Sequence, residues 1–302
     1  MLASPAARMH RNPLVIVMLL AVLAGAAALV IAVALEPGAR EAPPTQTPRI
    51  VSLMPPITET LYEIGAGDYL VGRSEYCVYP PEAVSLPSCG TALMPNTEAI
   101  VRLEPTLIIG NDSKATAREK LRGLGNAEFV PWLTAEEVIA GTRHLGVLSG
   151  KEAAANELAD ELARVLLVPE PQDGPRVLLA MSHTPGQMAG VTFLRRNSLH
   201  GRVLNAAGGR NAVDQDVSGV PTLSIEEVLA IDPDIIIVLA FAHDLHEDER
   251  AGIIADWQRL SPLKAVQHGR VGLLEGKQLV PAARRTFMLV DALRQEITRL
   301  GR

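Results

Sequence analysis

Aromatic side chains are scarce in this 302-residue chain: Phe, Trp and Tyr together make up 3% of it. So few rings argue against a dense aromatic cage around any ligand. Cysteine is scarcer still, with only Cys77 and Cys89. There is no second pair and no histidine at finger spacing, which excludes a structural zinc site. Catalytic motifs are missing as well: no G-x-G-x-x-G follows the first strand, and G-x-x-x-x-G-K-[ST], G-x-S-x-G and H-E-x-x-H do not occur. The GAGD at 65–68 follows a helical pattern rather than a strand and reads as a helix stop. These absences favour binding over turnover. Basic stripes are absent too. Lys and Arg number 28 against 34 Asp and Glu, for a net charge of -6, and they are scattered. A general nucleic-acid binder is thereby set aside.

Against these absences stands one long apolar run. Residues 1–13 carry Arg8 and Arg11 and no acid, and LVIVMLLAVLAGAAALVIAVAL (14–35) then continues without a charge for long enough to cross a bilayer. Two outcomes are open. AVA at 32–34 permits cleavage as a secretory signal, whereas the length, beyond the roughly 7–15 residues of a signal's apolar region, favours retention as a membrane anchor. Both leave Arg8 and Arg11 inside and everything after Leu35 in the periplasm or an equivalent extracytoplasmic space. No cysteine directly follows the run, so there is no site for a lipid-modified N-terminal cysteine. Residues 36–48, EPGAREAPPTQTP, read as a Pro-rich, semi-extended linker. Export places Cys77 and Cys89 in an oxidising compartment, where a disulfide closing a short loop is expected to stabilise by about 2–3 kcal/mol; two separate thiols are the alternative.

The chain says nearly the same thing twice. TEAIVRLEP (97–105) and IEEVLAIDP (225–233) both place apolar residues at helical spacing and stop at a proline, and a continuous apolar run follows each, TLIIG or DIIIVLAF. Each unit reads as helix, Pro turn and buried parallel strand. Further strands are expected at 49–53, 69–73, 128–133, 176–181 and 270–276. Further helices are expected at 58–65, 114–124, 135–147, 199–207, 249–259 and 285–300. KEAAANELADELARVLL (151–167) is rich in helix formers and free of Gly and Pro. The expected fold is α/β: two Rossmann-like lobes with parallel sheets, at 49–148 and 169–302, joined by one long helix over 149–168.

Ligands of open parallel sheets gather at the carboxyl ends of the strands. That rule collects Ser52–Pro56, Ser74–Tyr76, Asn111, Asp112 and Trp132 at one mouth. It collects Met181–Pro185, Phe241–His246 and Pro281–Arg285 at the other. Arg284 and Arg285 are candidates to clamp carboxylates, or else form a solvated first turn of the last helix. His183, His243 and His246 are candidates for a metal contact, or else part of a charged surface. Arg195 and Arg196 either reach into the cleft or cover its rim.

RIVSLMPPITETLYEIGAGDYLVGRSEYCVYPPEA (49–83), LPSCG, PNTEAIVRLEPTLII, SLHGRVLNAAGGRNA and LSIEEVLAIDPDIIIVL, in that order, resemble the periplasmic binding proteins that feed vitamin B12, ferric siderophores or haem to ABC importers. The resemblance covers nearly all of residues 49–300. It implies a class III binding protein that is not an enzyme and carries no covalent cofactor. Its ligand would be a cobalamin or ferric siderophore, and its partners the permease and ATPase subunits of an importer. It further implies that Glu98 and Glu226 dock onto permease arginines, whereas Glu227 belongs to a capping box with Ser224. Tyr76 and Trp132 fall where the family sets aromatics against the ligand. Ala92 stands where its B12 binders carry Trp, and Asn111 replaces another aromatic. Haem, a bare metal ion or an unrecognised exported enzyme are the alternative readings.

Overall fold

The structure, a computed structural model, describes residues 47–302 apart from 218, 242–244 and 277–278. The apolar run at 14–35, most of the Pro-rich stretch and His243 lie outside the described residues. No described helix is long and apolar enough to cross a membrane. Residues 47–302 form one compact unit.

The chain begins with β1 (Ile50–Ser52), α1 (Pro55–Glu63), β2 (Leu70–Arg73), α2 (Pro81–Val84), α3 (Thr97–Arg102), β3 (Leu107–Asn111), α4 (Arg118–Arg122), β4 (Ala127–Val130) and α5 (Ala135–Ser149). The four strands pair in parallel in the order β2-β1-β3-β4. After α6 (Glu152–Leu166) come β5 (Arg176–Met181), β6 (Val191–Thr192), α7 (Leu199–Ala206), β7 (Arg210–Asn211), β8 (Thr222–Leu223), α8 (Ile225–Ile231), β9 (Ile235–Ala240), α9 (Glu247–Gln258), α10 (Lys264–Gln267), β10 (Val271–Glu275) and α11 (Arg285–Leu300). A second parallel sheet has the order β10-β9-β5-β7, and β6 pairs antiparallel with β8. All six residues of β9 are buried, as an apolar run flanked by two parallel neighbours requires.

Both copies of the repeated phrase become a short helix, a tight turn and a buried strand: α3 into β3, α8 into β9. One arginine organises each turn. Arg49, just before β1, donates from its guanidinium to the carbonyls of Leu103 (2.6 Å) and Glu104 (3.2 Å). Arg176, opening β5, donates to those of Ile231 (3.0 Å) and Asp232 (3.3 Å). These carbonyls close a helix and have no partner within it, so each arginine satisfies two acceptors.

The helix expected at 151–167 forms as α6, inside the 149–168 stretch between the two sheets. Gly150, left-handed at φ 68°, ends α5, and α6 starts at Glu152. The two helices pack closely because Gly146 has no side chain: a Cβ there would come within 2.4 Å of the Ala155 Cβ. Arg143 adds bonds to Asn156 (2.9 Å) and Asp160 (2.7 Å). A single apolar cluster runs from Ile50, Ile57 and Leu61 through Leu158, Leu162 and Leu166 of α6 to Val177, Leu239, Leu289 and Leu293. Both sheets therefore share core packing with α6.

Candidate functional site

At the carboxyl end of the first sheet the polar groups are largely paired. Thr58 donates to the Ser52 hydroxyl at 2.8 Å and lies 3.1 Å from the Cys77 sulfur. Asn111 accepts from the Thr116 hydroxyl on its side-chain oxygen at 2.9 Å. Asp112 pairs with Arg118, whose guanidinium covers the Phe129 ring at 4.8 Å. Tyr76 is different: its side chain stands 66% exposed. Leu93 and Met94 are exposed nearby in sequence, in a loop closed by Met94 N–H donating to the Thr91 hydroxyl.

Trp132 departs from expectation. It is a core residue, 5% exposed, and lies so close to α5 that a Cβ on Gly141 would fall 2.7 Å from its ring. β4 ends at Val130 rather than 133, and in the extended stretch beyond it the next residue, Leu133, turns outward, 63% exposed. Leu133 is thus the apolar side chain presented here. No sequence signal marked it, since a tryptophan and a leucine side by side leave open which one faces in.

Of the cationic and histidine candidates of the second sheet, His183, Arg195 and Arg196 bond groups of this chain through their side chains. His183 lies 3.0 Å from Asp256, a buried carboxylate that also accepts from Gly186 N–H (2.6 Å) and Arg259 (2.8 Å). The backbone bond from Gly186, then the bond to His183, hold Asp256 below the usual carboxylate range. His183 fastens its loop to α9, and no group of three or more His, Cys, Asp or Glu suited to a metal ion occurs among the described residues. The amide of His246 binds Glu249 at the start of α9. Arg195 donates to the Val217 carbonyl and Arg196 to that of Asp214, both at 2.8 Å, so these arginines hold the loop at 213–217.

Arg284, exposed at the start of the last helix, and Arg285, buried beside it, both hold carboxylates of this chain. Arg284 donates to Glu63 of α1 (3.1 Å) and Glu161 of α6 (3.0 Å). Arg285 forms a two-pronged pair with Glu59 of α1 and lies 5.0 Å from the centre of the Tyr79 ring. Both partners of that pair are buried, and burial pushes the Glu59 carboxyl up to about 7 in spite of the guanidinium.

The expected disulfide is not formed: Cys77 and Cys89 are free, buried thiols in separate surroundings. Cys77 faces Thr58, while Cys89 packs over Gly72, where a Cβ would approach its sulfur to 2.7 Å.

Glu98 and Glu226 both stand exposed in the first turns of α3 and α8. Neither caps its helix. Asn96 accepts from Ala99 N–H at the start of α3, and Ser224 with Glu227 forms the capping box of α8. Glu98 bonds Arg102 one turn on at 2.6 Å, both side chains mostly exposed.

Known proteins share this architecture. The chain is 30% identical over 266 residues to the vitamin B12-binding protein of Vibrio cholerae serotype O1, a match covering 86% of this chain and 91% of that one. It is 31% identical over 200 residues to a cobalamin-binding protein of Halobacterium salinarum, and there it spans 53% of the relative's length. The crystal structure of the periplasmic vitamin B12-binding protein BtuF of Vibrio cholerae superposes with a TM-score of 0.67 at 27% identity, over 84% of this chain and 98% of that one. The periplasmic binding protein pattern matches residues 50–277, and the chain belongs to that family.

Proposed function

We propose that this chain captures a cobalamin between two lobes, residues 49–148 and 169–302 joined through the helix within 149–168, and delivers it to the permease of an ABC importer. As a member of a family of substrate-binding transport proteins the chain is not an enzyme. The observation that carries the choice of ligand is the internal commitment of Arg284, Arg285 and His183. A haem or ferric siderophore calls on cations for its carboxylates or on a histidine for its metal. Beside Glu75 and the Asp112–Arg118 pair, the first strand ends present neutral groups: Tyr76, Leu133 and the amide of Asn111. A corrinoid, which brings its own nitrogen ligands for cobalt and displays amides rather than carboxylates, suits such a surface through apolar contact and one stacking ring. The relatives named for vitamin B12 support the same reading.

Glu98 and Glu226 serve in this reading as docking carboxylates, one on each lobe. Two similar feet suit a partner built from two copies of one subunit. Residues 14–35 export the chain and, where uncleaved, anchor it beside the permease. Calorimetric titration with cyanocobalamin, haemin, a ferric hydroxamate, a ferric catecholate and zinc tests the ligand. Saturable one-to-one binding of cyanocobalamin alone is expected. Saturable binding of haemin or a ferric siderophore with no response to cyanocobalamin overturns the choice.

A further inference from the structure

Two sets of polar contacts join the part of the chain that carries the first sheet to the part that carries the second. In the first set, Arg284 and Arg285 reach Glu63 and Glu59, which lie one turn apart on α1. Arg284 also holds Glu161 on α6, and Arg285 lies beside the ring of Tyr79. In the second set, Arg202 of α7 pairs with Glu136 of α5 at 3.0 Å, and Leu199 N–H, opening α7, donates to the Leu133 carbonyl at 3.0 Å. We propose that these two straps, and not the stiffness of α6 alone, set the spacing between the two strand-end mouths, so that Arg202, Arg284 and Arg285 are positioning residues for ligand capture.

Three features of the geometry support this. Neighbouring arginines gripping successive turns of one helix fix its rotation as well as its distance, which a single bridge cannot do. The Arg285–Glu59 pair has side chains only 10% and 3% exposed. A buried pair contributes little net stability because desolvation offsets its attraction, yet it specifies one register strongly, since moving either partner strands a buried charge. Finally, the straps attach at the mouths themselves. Leu133, whose carbonyl takes the bond from Leu199, presents its exposed side chain there, and Tyr79 lies three residues beyond Tyr76. A change at a strap therefore moves lining residues directly.

The test uses pulsed electron-spin distances between labels at Glu119→Cys on α4 and Asp248→Cys on α9; Cys77 and Cys89 are buried away from the label. The starting protein is expected to give one narrow distribution, the same with and without cyanocobalamin. Arg202→Gln with Arg284→Gln cuts an exposed member of each strap. Adding Glu59→Leu with Arg285→Met replaces the buried pair by apolar side chains of similar volume, a change that folds more reliably than removing one partner. The expected result is a broadened or displaced distribution, and cyanocobalamin binding weakened by about tenfold or more. An unchanged distribution in the fully cut protein overturns the proposal, and so does broadening that leaves affinity untouched. If the four-residue variant fails to fold, the two-residue variant decides on the same criteria. The affinity readout rests on the ligand lying between the two mouths. If the starting protein binds no chelate, that reading fails while the distances still decide the straps.

Discussion

Glu104 and Asp232 occupy equivalent places in the two halves of the molecule: each follows a short helix, precedes a proline, and adopts a left-handed backbone, with φ 45° and 42°. Their side chains are used differently. Glu104 is exposed with no side-chain partner among the described residues, while Asp232 accepts from the Lys264 N–H (2.9 Å) and lies 3.0 Å from the Lys264 ammonium. A left-handed residue with a Cβ is strained by about 1–2 kcal/mol, a strain that glycine relieves in part. Glu104→Gly is accordingly expected to leave the melting temperature unchanged or slightly raised. Asp232→Gly loses two bonds and is expected to lower stability by about 1 kcal/mol. Thermal unfolding of the two variants side by side checks the contrast, and equal effects would show that the turns are not equivalent in backbone strain.

The docking reading makes a separable prediction. Asn96 and the Ser224–Glu227 box already cap α3 and α8, so alanine at Glu98 and Glu226 removes charge without uncapping either helix. The Glu98–Arg102 pair is solvent-exposed and contributes little stability. Truncating one member of a charge pair that is desolvated on docking costs more than tenfold in affinity. The double variant is expected to keep its melting temperature and its cyanocobalamin affinity while uptake in the native host falls by about tenfold or more. Lost ligand affinity would place these carboxylates in the binding site instead.

How far the fold was legible follows from where its signals lie. The helices over 225–231 and 285–300 and the strand over 176–181 occur as expected: periodicity, a capping box and a Pro stop coincide at the first, helical apolar spacing marks the second, and a continuous apolar run marks the strand. The antiparallel pair of Val191–Thr192 with Thr222–Leu223 went unread, since two-residue strands carry no period. Of the residues expected at the strand ends, Tyr76 is exposed three residues past β2 and Asn111 is the last residue of β3. Arg284 and Arg285 could not be placed from sequence because their partners, Glu59, Glu63 and Glu161, lie more than a hundred residues away. Adjacency to a strand end locates a residue, but only the tertiary neighbours decide which way its side chain turns. His183 is the same case, its partner Asp256 being 73 residues on.

The thiols carry a third prediction. Cys77 and Cys89 are fully buried, and burial pushes both thiols up, Cys89 to about 11. Thiolate, the reactive form, is therefore scarce at neutral pH. Neither cysteine is expected to react with Ellman's reagent in the native protein, and both should titrate once it is unfolded in denaturant without reductant. A native melting temperature unchanged by reductant agrees with free thiols. Failure of both to titrate in denaturant would mean that a bridge had formed.

Glu59 sets the sign of the last prediction. Its folded carboxyl titrates near 7 against an ordinary value of 4.5, first because burial disfavours the charge; Glu63 adds a smaller push, and Arg285 opposes both through its hydrogen bond and its charge. Cys77, Tyr79, Arg284 and Glu161 are the other titratable or charged groups gathered around this pair. A pKa raised on folding stabilises fully below 4.5, and that contribution is lost as pH rises through 7. The span corresponds to about 3 kcal/mol. Other groups oppose it: burial lowers His200, and hydrogen bonds lower Asp232 and Asp256, each favouring the folded state more as pH rises. Glu59→Gln keeps those groups and removes only the first. The stability of the starting protein minus that of Glu59→Gln, from denaturant unfolding, is therefore expected to fall by about 3 kcal/mol between pH 4.5 and 7.5. A difference that rises over the same range would mean that attraction to Arg285 outweighs the cost of burying the carboxylate.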